Sequence, residues 1–216
     1  MRMDLHVHSN ISPCSNMGLD DLIKRAYELG LDGICITDHD TLEAKNILSK
    51  IPTYGITVIV GMEYATPQGD FLIFGEIDNI PKGLTAKDLL HTLKNRNSMA
   101  IAAHPFRKKR RFDSSLLACM EVIEGVNGRC NWEENILTMN WALDNLKKIT
   151  GGSDAHTLKE IGRVITYFKK PILNVWDLID NLKSGSYYPI ISGNNFEMYS
   201  CYTGWHRRQI SSHIGA

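Results

Sequence analysis

The stretch Met-Asp-Leu-His-Val-His-Ser at residues 3–9 determines how the rest of the chain is interpreted. Its first five residues form a short, largely apolar run that we interpret as a β-strand, and His6 and His8 stand at the end of that strand. Residues two apart on a strand face the same side, so both imidazoles can point at one ion. The stretch therefore predicts a strand that ends in a metal site.

Similar short apolar runs alternate with longer segments of helical periodicity along the chain. The predicted strands cover residues 3–7, 33–37, 57–64, 71–75, 99–103, 119–126, 148–151 and 163–168. Thr85, Asn131 and Asn174 are candidate N-caps of helices between them, and Gly30 and Gly185 are placed to end helices. This order predicts an α/β fold, in which β/α units surround a mostly parallel sheet.

Composition limits the class of protein. The 216 residues contain 24 basic and 24 acidic side chains, and zero net charge argues against a surface tuned throughout to nucleic acid or anionic membrane. With no linker or shift in composition, we expect one domain over residues 1–216, with a polar tail from residue 194. No apolar run approaches the roughly 20 residues of a membrane span, and the charged N-terminus lacks the apolar stretch of a signal peptide. We therefore expect a cytoplasmic protein with no membrane partner.

Residues that can bind a metal cluster at the C-terminal ends of the predicted strands. They are His6, His8, Asp38, His39, Glu63, His104, Asp154 and His156. In a parallel α/β barrel or sheet, active sites assemble at this edge because its loops can vary while the strands hold their ends rigidly. Five of the eight histidines share it, whereas His91, His206 and His213 are interpreted as ordinary surface or core residues.

The residue types at this edge indicate a metal centre. Imidazole and carboxylate together suit zinc, manganese or iron, and a carboxylate such as Glu63 can bridge two ions about 3.5–4 Å apart. Two such ions lower the pKa of a bound water toward about 7 and neutralise charge that grows on a phosphoryl group. The sequence has no GxSxG nucleophile elbow and no glycine-rich phosphate loop that would indicate a different chemistry.

A basic run at residues 107–111 directly follows His104-Pro105-Phe106. Adjacent like charges repel unless they are solvated or meet an anion, so the run is a solvated loop, a phosphate clamp or a polynucleotide track. Arg107 is close enough along the chain to His104 to grip a phosphate at the metal edge. Arg129, which follows another predicted strand, is the second candidate phosphate ligand.

Five motifs together resemble the PHP (polymerase and histidinol phosphatase) family of metal-dependent phosphoesterases. They are His6-Val7-His8-Ser9, Thr37-Asp38-His39-Asp40, Gly61-Met62-Glu63, Ala103-His104-Pro105 and Gly152-Ser153-Asp154-Ala155-His156. They stand in the family's order within residues 4–162. The resemblance implies a distorted (β/α)7 barrel with a two- or three-metal centre at the C-terminal face of the strands. It also implies that one ion would be held by His6, His8, Glu63 and Asp154, a second by Glu63 and His104, and a third by His39 and His156.

The chain departs from this family pattern in two places. Many members carry Asp or His where this chain has Cys14, a loop cysteine that is a candidate soft ligand, unlike Cys35 and Cys119, which we expect to be small core residues. Many members also carry a histidine in the strand after the glutamate, which here reads Phe-Leu-Ile-Phe at residues 71–74. The third ion would then depend on Cys14, water or substrate, and the second would be more open to water or substrate.

We therefore expect a hydrolase, a metal-dependent phosphatase or phosphodiesterase with two or three ions of Zn, Mn or Fe. In this hypothesis a metal-bound hydroxide attacks phosphorus in line. Arg107 and Arg129 orient the phosphate, and Asp38 or His156 assists the leaving oxygen. The expected substrate is a small phosphorylated compound or a nucleotide.

Three alternatives stay open. In a nuclease or nucleotide phosphatase, residues 107–111 would contact a short nucleic acid. An amidohydrolase also opens with His-x-His on a barrel strand, but it would usually use a bridging lysine, and no lysine here follows a strand suitably. The departures at Cys14 and Leu72 also fit a PHP-like domain that binds metal or nucleic acid without catalysis.

Overall fold

The computed structural model describes residues 1–109 and 111–192, which contain ten strands and six helices. The strands are β1 (Arg2–Val7), β2 (Gly33–Ile36), β3 (Thr57–Val60), β4 (Met62–Thr66), β5 (Gly69–Gly75), β6 (Ser98–Ala102), β7 (Val122–Asn127), β8 (Lys148–Gly152), β9 (Val164–Phe168) and β10 (Tyr187–Ile191). The helices are α1 (Leu19–Glu28), α2 (Ala44–Leu48), α3 (Ala86–Lys94), α4 (Ser114–Ala118), α5 (Trp132–Asp144) and α6 (Val175–Ser184). The predicted tail from residue 194, with His206 and His213, lies outside the described residues.

The strands form two mixed sheets of five strands each. The first has the order β10-β9-β1-β2-β3 and the second the order β4-β5-β6-β7-β8. Strands β1, β2 and β3 pair in parallel, as do β6, β7 and β8, whereas β4, β5, β9 and β10 add antiparallel pairs. The predicted α/β class is confirmed, but the two sheets are mixed, with as many antiparallel as parallel pairs, and do not form the mostly parallel sheet that we expected. A single closed (β/α)7 barrel is not what the pairing shows, because neither sheet closes on itself.

Two isolated parallel bridges connect the sheets at the ends of their strands. Val7 pairs with Ala155, and the amide of His8 donates to the carbonyl of Ala155 at 3.0 Å. His39 pairs with Glu63, whose amide donates to the carbonyl of Thr37 at 3.2 Å. Both connections lie within the predicted metal-binding motifs, so the fold joins its sheets at the place where the sequence predicts a site.

The predicted strand 57–64 divides at Gly61 into β3 and β4, which belong to different sheets. A Cβ atom at Gly61 would lie 2.5 Å from the Phe74 ring, so a glycine is needed where the chain passes from one sheet to the other. The division also places Glu63 at the start of β4, facing the end of β2.

The predicted strand 119–126 is also wrong at its start. The segment from Ser114 to Ala118 is a short helix whose N-cap side chain, Asp113, accepts a hydrogen bond from the Ser115 amide. Cys119 caps the other end and is exposed, so it is not the core residue we expected, whereas Cys35 is buried as predicted.

Helix ends follow the predicted capping residues. The Thr85 and Asn174 side chains accept hydrogen bonds from the first-turn amides of α3 and α6. Asn131 and Glu134 form a reciprocal capping box at the start of α5. Gly185 ends α6 with φ 73°, in the left-handed region that glycine adopts without a Cβ penalty. Among the described helices, none is long and apolar enough to cross a membrane.

Apolar side chains from both sheets meet in a buried cluster beneath the strand ends. Leu5 and Cys35 come from the first sheet, and Leu72, Phe74 and Ile101 come from the second. Since interiors are close-packed, this cluster holds the two sheets at a set separation and therefore positions the residues at their ends.

We predict that Leu5→Ala destabilises the protein by roughly 2–5 kcal/mol, because it opens a cavity in this cluster. Leu5 is fully buried, whereas Leu173 is 76% exposed, so Leu173→Ala is the matched control and should change stability by less than roughly 0.5 kcal/mol. Urea unfolding of both variants measures the difference. Equal unfolding midpoints would contradict the proposed role of the cluster.

Candidate metal centre

His6 and His8 bring two imidazoles together in the interior. Both residues are fully buried, and their Nε2 atoms lie 3.1 Å apart. The Glu63 Oε2 atom lies 3.2 Å from Nε2 of His6 and 3.1 Å from Nε2 of His8. Two imidazole nitrogens and one carboxylate oxygen therefore converge on a single point, as the spacing of His-x-His on a strand predicts.

Glu63 connects this pair to two further histidines. Its Oε2 atom also lies 3.2 Å from Nδ1 of His39, and its Oε1 atom lies 2.9 Å from Nε2 of His104. The two oxygens thus face different histidines, which is the arrangement expected of a carboxylate that bridges two ions.

Asp154 completes the converging set from the loop after β8. Its Oδ1 atom lies 3.6 Å from Nε2 of His6 and 3.4 Å from Nε2 of His8. Its Oδ2 atom accepts hydrogen bonds from Arg107 at 2.6 Å and from Asn127 at 3.3 Å. His156 donates from Nδ1 to the Asp154 carbonyl at 2.8 Å, which leaves Nε2 as the nitrogen available to a ligand.

The electrostatics of the cluster favour positive charge within it. Burial alone would raise the pKa of Glu63, but the charge of His6 and hydrogen bonds from His104, His6 and His8 hold that pKa well below its ordinary value. Burial likewise would lower the pKa of His6, yet Asp154, Glu124 and Glu63 raise it well above its ordinary value. A cluster that stabilises a buried cation in this way, built from imidazole and carboxylate, has the donor set of Zn²⁺, Mn²⁺ or Fe²⁺.

A network behind the ligands, centred on Glu124, orients two of them. Glu124 Oε1 accepts from Nδ1 of His6 at 3.0 Å, and Oε2 accepts from the His104 amide at 2.8 Å and from Asn127 at 2.9 Å. Such partners set which ring nitrogen of a histidine faces a metal. Our sequence interpretation missed Glu124, although a charged residue inside the apolar run of β7 was a signal that could have revealed it.

Asp4 is a second buried carboxylate that the sequence interpretation missed. It accepts from the amides of Ser153 and Gly162, each at 2.9 Å, and thereby connects β1 to the segment that carries Asp154 and His156. Burial raises its pKa to about 6 despite these hydrogen bonds. Its position in an apolar strand was again the available signal.

Two candidate ligands have left-handed backbone conformations. The φ angle is 32° at His104 and 53° at Asp154. Residues other than glycine rarely adopt this region, and the cost is of order 1–3 kcal/mol each. Strain of this kind persists only where surrounding contacts impose it, and here the Glu124 carboxylate holds the His104 amide. The turns after β6 and β8 are therefore shaped to direct these side chains into the site.

A pocket of about 470 Å³ opens onto the cluster. It is lined by His39, Glu63, Ala65, Asp70, His104, Arg107, Arg129, Asp154 and His156. Both arginines predicted to contact phosphate therefore face the predicted site. They differ in state: Arg107 bonds to Asp154 and to Asn127 at 2.8 Å, whereas within the described part of the chain no hydrogen bond or ion pair holds the Arg129 guanidinium.

Asp38, a predicted proton donor, has a different environment. Its Oδ1 accepts from the Ser9 amide at 2.8 Å and from the Ser12 hydroxyl at 2.6 Å, and its Oδ2 accepts from the Ser9 hydroxyl at 2.6 Å. The residue is buried and does not line the pocket. These contacts favour a role in shaping the loop after β1, and the proton-donor role of Asp38 stays a prediction.

Two residues at the departures from the family pattern also approach the site. Cys14 is exposed, and its Sγ atom lies within 4.8 Å of a ring nitrogen from each of His8, His39 and His156. Asp70, which our sequence interpretation missed, has an oxygen within 4.8 Å of ligand atoms of Glu63 and His104. In the basic run, Lys108 and Lys109 are exposed and lie outside the pocket lining, and the Arg111 guanidinium stacks 4.9 Å from the centre of the Phe106 ring.

Comparison with known families supports the resemblance seen in the sequence. A family model described as PHP domain matches residues 4–159, and one described as PHP-associated matches residues 132–187. An uncharacterised protein of Methanocaldococcus jannaschii is 29% identical over 186 residues, which cover 81% of this chain and 73% of that protein. A Thermotoga maritima protein described as a probable histidinol-phosphatase is 26% identical over 208 residues, with 76% and 88% covered.

Solved structures share the fold at low sequence identity. The crystal structure of PsfC from Pseudomonas syringae superposes with a TM-score of 0.73 at 18% identity and covers 96% of this chain and 98% of that chain. A Bifidobacterium adolescentis protein, provisionally described as a metal-dependent phosphoesterase, has a TM-score of 0.59 at 15% identity, with 84% and 95% covered. At these identities the likeness concerns the fold alone.

We predict that Glu124→Gln weakens metal binding by about 10–100-fold, because a neutral amide orients the His6 ring less strongly than a carboxylate does. Glu121→Gln is the matched control, since Glu121 lies just before the same strand, is exposed, and pairs with Lys148. Competition titration with a chromophoric chelator measures both variants. Equal metal affinities for the two variants would show that Glu124 does not orient a ligand.

Proposed function

The chain belongs to the PHP domain family, and from that membership we propose that it is a metal-dependent phosphoesterase acting on a small phosphorylated substrate or a nucleotide. The observation that carries the proposal is the convergence of four histidines on the two oxygens of Glu63, beside a pocket that also contains Arg129. The first feature suits adjacent divalent cations, and the second suits an anionic group next to them.

The proposed centre holds two or three ions of Zn, Mn or Fe. One would be bound by His6, His8, Glu63 and Asp154, a second by Glu63 and His104, and a third by His39 and His156. When bound, such ions lower the pKa of coordinated water and neutralise charge on a phosphoryl group. The protein's part is to keep the ligands in place, which the Glu124 network does from behind them.

The two arginines have separate roles in this proposal. Arg129 is free to form a bidentate contact with phosphate oxygens, because its guanidinium has no partner among the described residues. Arg107 is held by Asp154 and Asn127, so its first role is to keep one carboxylate oxygen of Asp154 turned away from the ions. Asp154 then presents its other oxygen to His6 and His8.

His156 fits the role of assisting the leaving oxygen better than Asp38 does. His156 lines the pocket, and its Nδ1 is occupied by the Asp154 carbonyl, so Nε2 is the atom that can hold a proton or a ligand there. Both oxygens of Asp38 accept hydrogen bonds from Ser9 and Ser12. His156 Nε2 cannot hold a proton and an ion at once, so we assign the pocket-side proton to His156 for a centre of two ions, and the loop structure to Asp38.

Pocket size supports a small substrate over a polynucleotide. A volume of about 470 Å³ lies within the range of small-molecule sites, about 300–1,000 Å³. The exposed lysines of the basic run lie outside the pocket lining. An oligonucleotide substrate remains an outcome of the assay, in which the salt dependence of binding would identify a contribution from residues 108–111.

The test is hydrolysis by protein purified with Mn²⁺ or Zn²⁺, using phosphomonoesters, nucleoside bisphosphates, short oligonucleotides and simple amides. We expect release of phosphate from at least one phosphoester, loss of activity on chelation, and loss in the double variant His6→Ala, His8→Ala. His91→Ala is the control, because His91 is exposed on α3. Metal-independent activity, amide hydrolysis alone, or no hydrolysis at all would refute the proposal.

We further predict that Arg129→Ala lowers kcat/KM for the best phosphoester by about 10–100-fold, equivalent to the roughly 1.5–3 kcal/mol of hydrogen bonds to a charged group. The matched control is Arg25→Ala, since Arg25 is a partly exposed arginine on α1 that pairs with Glu28. Steady-state kinetics with inorganic phosphate as a competitive inhibitor measures both variants. An unchanged phosphate inhibition constant in Arg129→Ala would exclude this contact.

A further inference from the structure

Asp70 lies where the second proposed ion needs another ligand. Strand β5 is the middle one of three, between β4, which carries Glu63, and β6, which leads into His104. Asp70 is at the end of β5 nearest the site, because its carbonyl accepts from the Ala103 amide at 2.8 Å, one residue before His104. The sheet therefore places Asp70 between the two residues that the family pattern assigns to this ion.

The side chain of Asp70 faces the site. Leu72 pairs with Glu63 across the β4–β5 ladder, and Asp70 is two residues away on the same face of β5. Asp70 pairs with Ala65, whose small side chain leaves space between the Asp70 and Glu63 carboxylates. Asp70 is 5% exposed and lines the pocket, and one of its oxygens lies within 4.8 Å of ligand atoms of both Glu63 and His104.

The donor sets at the two ends of the site differ in chemical type. Glu63, Asp70 and His104 offer two carboxylates and one imidazole. The opposite end offers imidazoles from His8, His39 and His156 with the thiol of Cys14. Carboxylate oxygens suit harder ions such as Mn²⁺, whereas thiolate and imidazole suit Zn²⁺.

We propose that Asp70 is a ligand of the second ion and that its carboxylate raises the preference of this position for Mn²⁺ over Zn²⁺, relative to a histidine there. The inference rests on the proposed metal centre, but it concerns metal binding and not turnover. It identifies a ligand two residues from Leu72, on the strand that lacks the family's histidine. It also predicts that the Asp70 end of the centre has a higher relative preference for Mn²⁺ over Zn²⁺ than the Cys14 end.

The test compares Asp70→Asn and Asp70→His with the wild type when metal-free protein is titrated with Mn²⁺ and, in a separate series, with Zn²⁺. Elemental analysis gives the bound metals, and the electron paramagnetic resonance of Mn²⁺ gives an independent readout. In Asp70→Asn we expect Mn²⁺ affinity to fall by at least about 10–100-fold, because loss of a group that only orients a ligand already lowers metal affinity by that much. In Asp70→His we expect metal binding to return, with a lower ratio of Mn²⁺ affinity to Zn²⁺ affinity than in the wild type.

Two controls localise the effect. Asp78→Asn removes an exposed carboxylate that pairs with Lys45 and should leave Mn²⁺ binding unchanged. Cys14→Ser removes a soft donor from the other end, so any loss that it causes should affect Zn²⁺ more than Mn²⁺. Asp70→Glu keeps the carboxylate, so it should keep the Mn²⁺ preference. If it does, a folding defect caused by substitution at residue 70 does not explain the loss of Mn²⁺ affinity in Asp70→Asn. Unaltered Mn²⁺ binding in Asp70→Asn, or an equal loss in Cys14→Ser, would overturn the proposal. A wild type that binds neither metal would instead refute the proposed centre itself.

Discussion

Burial of carboxylates where two sheets meet is the constraint on which this structure depends. Glu63, Asp154 and Glu124 are each at most 2% exposed, and a buried charge is costly unless it is paired and hydrogen-bonded. The imidazoles and Arg107 provide that compensation for the first two, and His6, Asn127 and a backbone amide provide it for Glu124. Burying these carboxylates costs free energy, and the same negative charges favour the binding of divalent cations in the interior.

The parallel bridges that connect the two sheets lie beside these residues. Among the described residues, the bridges between the two sheets are Val7 to Ala155 and His39 to Glu63, and each joins segments that carry candidate ligands. Metal binding at this cluster would therefore be coupled to the joining of the sheets, since an ion bound by His6, His8 and Glu63 would also hold the two sheets together. The apolar cluster below supports the same geometry from the other side.

Much of this site could be predicted because its signals are local. His-x-His at a strand end and Ser-Asp-Ala-His after a strand place their side chains through short-range geometry, and capping residues such as Asn131 act within one helical turn. Gly61 marks a break within the predicted strand 57–64, but pairing partners are not local, so the sequence does not show that the two halves join different sheets. Strand β10 was missed for a related reason: Pro189 weakens its signal, and an edge strand tolerates proline.

Glu124 and Asp70 escaped prediction because our search looked for ligands at strand ends and for the family's residue types. Glu124 lies inside a strand, where it orients ligands from behind without being one. On β5 a side chain can shift by two residues and still face the same side, so a donor can move from the position of Leu72 to that of Asp70 without leaving the site. An unfilled family position therefore does not establish that a ligand has been lost. Side chains two residues apart on a strand share a face, so a replacement ligand can lie two residues from the family position. A carboxylate at that place alters which metal the site prefers.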